Sequence, residues 1–193
     1  DPTGTNRPTI AFAANTWGSG DNWDYENIIF TGTGTSVMSL GANSKTMYCK
    51  YVNSSATADR SALIPGADSL ILFCEAISFR GRAIAIGANN CGGIYGCYMH
   101  DSDIGLRVTQ AAKYTFSWNI ISDCVTAAIS LAGTHTNDIQ LISNTLYGCE
   151  DTLGVGVLIQ TGSTDTRLLN NIIYGFVTGV DHADTQSMAY DDY

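Results

Sequence analysis

The chain has 193 residues, 45% of them hydrophobic and only 14% charged, with a formal net charge of −9. That is enough apolar material for one folded domain and too much for a disordered one. The negative charge opposes phosphate backbones and anionic lipid, and no apolar run approaches the roughly 20 residues of a spanning helix, so nucleic acid and membrane are set aside as partners.

Twenty glycines against three prolines, with much Thr, Ser and Asn, favour short strands joined by tight turns. Taken in chain order, the strands repeat. NIIFTG at Asn27, NIISDC at Asn119, NTLYGC at Asn144 and NIIYGF at Asn171 are versions of one segment. The same register places KYVNSS at Lys50, AISFRG at Ala76 and CYMHDS at Cys97 between the first two. Anchors therefore fall at 27, 50, 76, 97, 119, 144 and 171, with steps of 23, 26, 21, 22, 25 and 27 residues. Two places after the anchors stand Ile29, Val52, Ser78, Met99, Ile121, Leu146 and Ile173. Three places before the last six stand Met47, Phe73, Ile94, Phe116, Leu141 and Leu168. These two columns are the predicted core.

A second alternating run follows each turn, as in Ala83 to Ile86, Ile104 to Leu106, Ala127 to Leu131 and Val155 to Ile159. No repeat holds ten residues at helical spacing, which disfavours helix-bearing solenoids. The expected architecture is all-β, a single parallel β-solenoid of about seven rungs with like side chains stacked on like at about 4.8 Å. Residues 1–26 form the entry rung and cap, 27–180 the repeats, and 181–193 an acidic tail, all within one domain. A start at Asp1 and an acidic end at Tyr193 fit a processed product or an excerpt of a longer chain.

The N-x-I-x-x-G/C turn followed by G-V or A-I strands resembles the right-handed β-helix repeat of the pectin-lyase-like superfamily, over about residues 9–180. RPTIAFAA and WDYENIIFTG look like its entry rungs. The resemblance implies a right-handed coil and transfers no activity.

Asn119, Asn144 and Asn171 share one turn position and are expected to form a structural ladder of side-chain hydrogen bonds. Cys124 and Cys149 share another column, within disulfide range, and Cys49 and Cys74 are near-equivalent. Buried reduced thiols are the favoured state of the six cysteines, with a disulfide as the alternative.

The most varied strip follows the apolar column. Phe79, His100, Tyr147 and Tyr174 are candidate ligand-binding residues with Arg82 and Glu150, while Asp101, Asp103, Asp123, Arg80 and His100 are the catalytic candidates. Arg80 is expected to face Asp101, and Arg82 to face Asp103. Polygalacturonase-like enzymes carry N-T-D, D-D, G-H-G and R-I-K motifs, and that set does not occur here. No metal ligand set is assigned and no cofactor is expected; calcium enters only if Asp101, Asp103 and Asp123 serve a lyase beside an arginine. Two readings stay open. One is a non-catalytic structural or glycan-recognition module of an extracellular or virion surface, polysaccharide-binding and homo-oligomeric, such as a trimer. The other is a lyase or glycoside hydrolase acting on acidic polysaccharide.

Overall fold

The computed structural model describes residues 7–12, 17–87, 91–109, 114–132, 139–148, 154–160, 166–182 and, for the backbone, 189–191. Every described strand lies in one of three parallel sheets of eight strands, and no helix occurs among the described residues. The first sheet contains Thr9–Phe12, Ile29–Gly32, Lys50–Asn53, Glu75–Ser78, Tyr98–His100, Ile120–Ser122, Thr145–Tyr147 and Ile172–Tyr174. The chain passes from each of these to the second sheet, which runs from Trp17–Gly18 to Thr178–His182, then to the third, from Asp24–Glu26 to Ala189–Asp191, before returning one rung further on. The expected solenoid of about seven rungs is met closely, and the sheets continue past residue 180.

Alternation along each short strand sends one column inward. In the first sheet Ile10, Phe30, Tyr51, Ala76, Met99, Ile121, Leu146 and Ile173 register directly on one another. The third sheet contributes Tyr25, Thr46, Ile71, Ile94, Phe116, Leu141 and Leu168. Both columns join one hydrophobic cluster running through the described rungs. The one polar member, Thr46, bonds the buried Tyr51 hydroxyl, whose ring stacks on Phe30 at 5.1 Å.

The core columns of the last four rungs agree with the sequence reading, and those of the first three do not. Ile29 and Val52 are only partly buried, and Phe73 is 52% exposed; Phe30, Tyr51 and Ile71 fill the places assigned to Ile29, Val52 and Phe73. Likewise Ala76 replaces Ser78, and Thr46 replaces Met47. The cause is the turn. Just before its ladder position each rung has a residue with left-handed backbone: Asn27, Tyr48, Phe73, Gly96, Trp118, Ser143 and Asn170, with φ between 51° and 64°. Asn27 takes this conformation, which asparagine tolerates, and is not the ladder residue.

The true ladder column is Ile28, Cys49, Cys74, Cys97, Asn119, Asn144 and Asn171, as the backbone bonds from each following strand show. The expected asparagine ladder is present. Each asparagine Nδ2 donates to a carbonyl of the third sheet, Ile94, Phe116 and Leu141 in turn, at 2.7–3.0 Å. Each Oδ1 accepts the N–H of the preceding ladder residue at 2.9–3.0 Å. Above Cys97 the ladder continues in sulfur, with the Cys74 N–H donating to Cys97 Sγ at 3.4 Å.

All five described cysteines are free thiols and buried. Burial pushes the Cys74 and Cys124 thiols up to about 12. Cys149 lies outside the described residues.

The second sheet turns a corner where only small side chains fit. A Cβ on Gly105 would sit 2.3 Å from Ile121 Cγ2 and 2.7 Å from the Ala128 carbonyl. This explains the G-V and A-I signature.

Candidate functional site

The outer face of the first sheet is where the predicted strip comes together. His100, Ser122, Tyr147 and Tyr174 occupy successive rungs of one outward column. The Tyr147 and Tyr174 rings lie 5.7 Å apart at 17° to each other. Parallel rings in contact are separated by about 3.5 Å along their normal, so these are displaced sideways by roughly 4.5 Å, like shingles, and part of each face stays open. The adjacent outward column holds Lys50, Glu75 and Tyr98. Tyr98 stacks on His100 at 4.1 Å, and its hydroxyl lies 3.1 Å from Ser122 Oγ, which donates to Asp123 at 2.8 Å.

The ionisable groups on this face are bonded to one another. Glu75 Oε1 accepts from Lys50 Nζ at 2.7 Å and lies 3.0 Å from His100 Nε2, while His100 Nδ1 is 2.7 Å from Asp101. Burial pushes the Glu75 carboxyl up, but the bonds from Lys50 and His100 outweigh it and hold the group below its ordinary value. An open groove of about 440 Å³, lined by Arg7, Ile29, Thr31, Val52, Lys50 and Glu75, runs off this cluster toward the first rungs.

The sign of the Glu75 shift sets a pH dependence. A carboxyl held low in the fold adds stability above its unfolded value, and that stability is lost as pH falls through the folded value. Wild type should therefore melt above Glu75→Gln at pH 7, and the gap should close as pH drops below 4.5, the ordinary glutamate value. Thermal melts of both proteins between pH 3 and 7, in steps of about one unit, check this; a constant gap would show that Glu75 stabilises by packing alone.

The remaining candidates lie round the bend toward the second sheet. Phe79 and Arg80 form an extra turn closed by the Gly81 N–H on the Ser78 carbonyl at 3.1 Å. That turn breaks the expected pairings. Arg82 registers with Ile104, and its guanidinium bonds Asp59 rather than Asp103. Asp103 is pushed up by burial and feels the Arg80 charge instead, while Asp101 is taken by His100. The bulge of the second sheet lies one rung further on, where Ser102 and Ile104 register with Cys124 and Ala127. Among the described residues no three His, Cys, Asp or Glu side chains converge on a point where a cation could sit. Glu150 lies outside the described residues.

The sequence model of the right handed beta helix region matches residues 13–190. The chain belongs to the right-handed β-helix family. No curated protein and no solved structure matches it. The family gives the handedness and agrees with a pectin-lyase-like architecture.

The β-helix also carries an aromatic edge that the repeat pattern concealed. Tyr48, Phe73 and Trp118, at left-handed turn positions between the third and first sheets, are 45%, 52% and 67% exposed. Tyr48 stacks on Phe73 at 5.4 Å. On the next rung the ring of Phe73 crosses Gly96, where a Cβ would come within 2.6 Å of it. Bulky residues seldom adopt this backbone, and burial does not explain these three. The signal was an aromatic directly before a ladder residue in three rungs, unreadable while Phe73 counted as core.

Proposed function

We propose that this β-helix is a non-catalytic glycan-recognition module of an extracellular or virion surface, binding a polysaccharide along the outer face of its first sheet. The observation that carries this is the column of His100, Ser122, Tyr147 and Tyr174, with shingled tyrosine faces beside hydroxyl and charged groups. Sugar rings present apolar C–H faces and a rim of hydroxyls, and such a column offers both kinds of contact. The bonded state of the ionisable groups supports binding without turnover. Glu75 is held low, so it is a poor proton donor or acceptor near neutral pH. The exposed edge of Tyr48, Phe73 and Trp118 supports a homo-oligomer, such as a trimer, closing on that side.

One observation favours the second reading, a lyase or glycoside hydrolase acting on acidic polysaccharide. The Asp103 carboxyl is raised by burial beside Arg80, as a proton donor requires. One experiment separates the two. Wild type, Tyr147→Ala and Asp103→Asn are compared on a polysaccharide panel for binding and for release of unsaturated or reducing ends. The expected result is binding without cleavage, weakened about tenfold in Tyr147→Ala, as loss of one to two kcal/mol of aromatic contact implies. Cleavage that disappears in Asp103→Asn would establish the enzyme instead.

A further inference from the structure

The second sheet bears a concentration of positive charge at odds with the chain as a whole. The protein has nine lysines and arginines against eighteen acidic residues, yet Arg60, Arg80, Arg82 and Arg107 gather on this sheet and its approach. Arg82 and Arg107 flank one carboxylate oxygen of Asp59: Arg82 forms an ion pair with it, and Arg107 Nη1 lies 3.8 Å away. The two arginine side chains are largely covered, at 19% and 28% exposure, whereas Asp59 is 77% exposed. Among the described residues, the Nε atoms of both arginines are buried with no hydrogen-bond partner. Beside them opens a recess of about 190 Å³, lined in part by Thr35, Ser61 and Thr109, with Arg60 bonded to Thr35 at its rim.

A guanidinium has five N–H donors in a planar fork, and among the described residues the two share one exposed carboxylate while both Nε donors are left over. Burying donors without acceptors is unfavourable, so the pair gains when an oxyanion brings more acceptor atoms. The two cations also repel each other: burial, and then the charge of Arg82, hold Arg107 below its ordinary value. Asp59 is a poor permanent partner because, exposed as it is, its ion pair is weak and its side chain can swing into water at little cost.

We propose that the Arg82–Arg107 pair is a binding site for an oxyanion of the carboxylate or sulfate class carried by a ligand seated in this recess, and that Asp59 is the internal occupant the ligand displaces. The site is on a different sheet from the tyrosine column and does not depend on it. Threonine and serine hydroxyls around the recess suit the polar atoms next to the anion.

The test follows the Arg82 and Arg107 side-chain N–H signals by NMR while inorganic sulfate or glucuronate is titrated against chloride at constant ionic strength. Saturable shifts are expected, and the stronger probe identifies the anionic group. Arg82→Gln should weaken binding by about tenfold or more, since a charge-assisted bond contributes roughly 1.5–3 kcal/mol. Arg82→Lys, which keeps the charge and loses the fork, should also weaken it. Asp59→Ala should tighten it two- to fivefold, the release of one exposed ion pair worth about 1 kcal/mol or less. An affinity unchanged or weaker in Asp59→Ala, or unaltered in a folded Arg82→Lys, overturns the proposal.

Discussion

Leu146→Asp is expected to abolish the cooperative folded state at 25 °C. Leu146 is 1% exposed and registers between Ile121 and Ile173 in the inner column of the first sheet. Removing a buried leucine costs about 2–5 kcal/mol before the new group is considered. The aspartate must then stay charged among apolar neighbours or take up a proton, and either adds several kcal/mol. The sum reaches the whole stability of a typical domain, about 5–15 kcal/mol. The neighbouring Thr145 supplies the control, because it faces outward on the same strand and is only partly buried. Thr145→Asp should stay within about 0.5 kcal/mol of wild type. Circular dichroism melts of the two variants decide the matter: equal loss in both would refute the alternation that defines the rung.

The solenoid was legible because a parallel stack forces each rung to satisfy the same environments as the last. Asn119, Asn144 and Asn171 announce one column, and Ile121, Leu146 and Ile173 follow from it by alternation. In the first rungs the ladder position is held by Ile28, Cys49 and Cys74, while an asparagine sits one place earlier at Asn27. Two turn positions there trade their marker residue, so pattern matching slips by one or two places. A slip of one inverts every side chain in a strand. Phe73 lies two places past Ile71, beyond the end of the strand Leu70–Leu72, so it stands exposed at the turn although the pattern assigns it to the core.

The candidate site divides along the same line. His100, Tyr147 and Tyr174 fell in one column because their rungs were correctly registered. Tyr98 stands two residues before His100 and so shares its face, a relation alternation makes available. Lys50 and Glu75 join them only once the upper rungs are moved into place. The Asp59 contact with Arg82 had no sequence signal. It depends on how the segment between Asn53 and Ser61 bends, and that path is set by local turn geometry, such as the left-handed Asp59 itself.

The second large effect lies in the ladder. Asn144→Ala is expected to cost about 3–5 kcal/mol, lowering the melting temperature by roughly 6–20 °C in a chain of this size. Asn144 is 1% exposed and occupied in every direction. Its Nδ2 donates to the Phe116 carbonyl and to Asn171 Oδ1 at 2.9 Å, and its Oδ1 accepts from the backbone and side chain of Asn119 at 3.0 Å. Alanine leaves the Asn119 N–H and the Phe116 carbonyl without these partners in a buried turn, at about 1–3 kcal/mol each, and adds a small void. The upper rungs suggest a milder replacement. Cys97 holds the equivalent position with its Sγ accepting the Cys74 N–H at 3.4 Å and lying 3.6 Å from the Ile71 carbonyl. Sulfur is a weak donor and acceptor, so Asn144→Cys should recover part of the loss and fall between alanine and wild type. Asn144→Asp should fare worse than cysteine, since an ionised carboxylate can accept from Asn119 but faces the Phe116 carbonyl with no proton to offer. Urea titrations of the three variants give the order. Were alanine and cysteine to match, the ladder would act through volume alone, and the run of sulfur above Cys97 would have no hydrogen-bonding role.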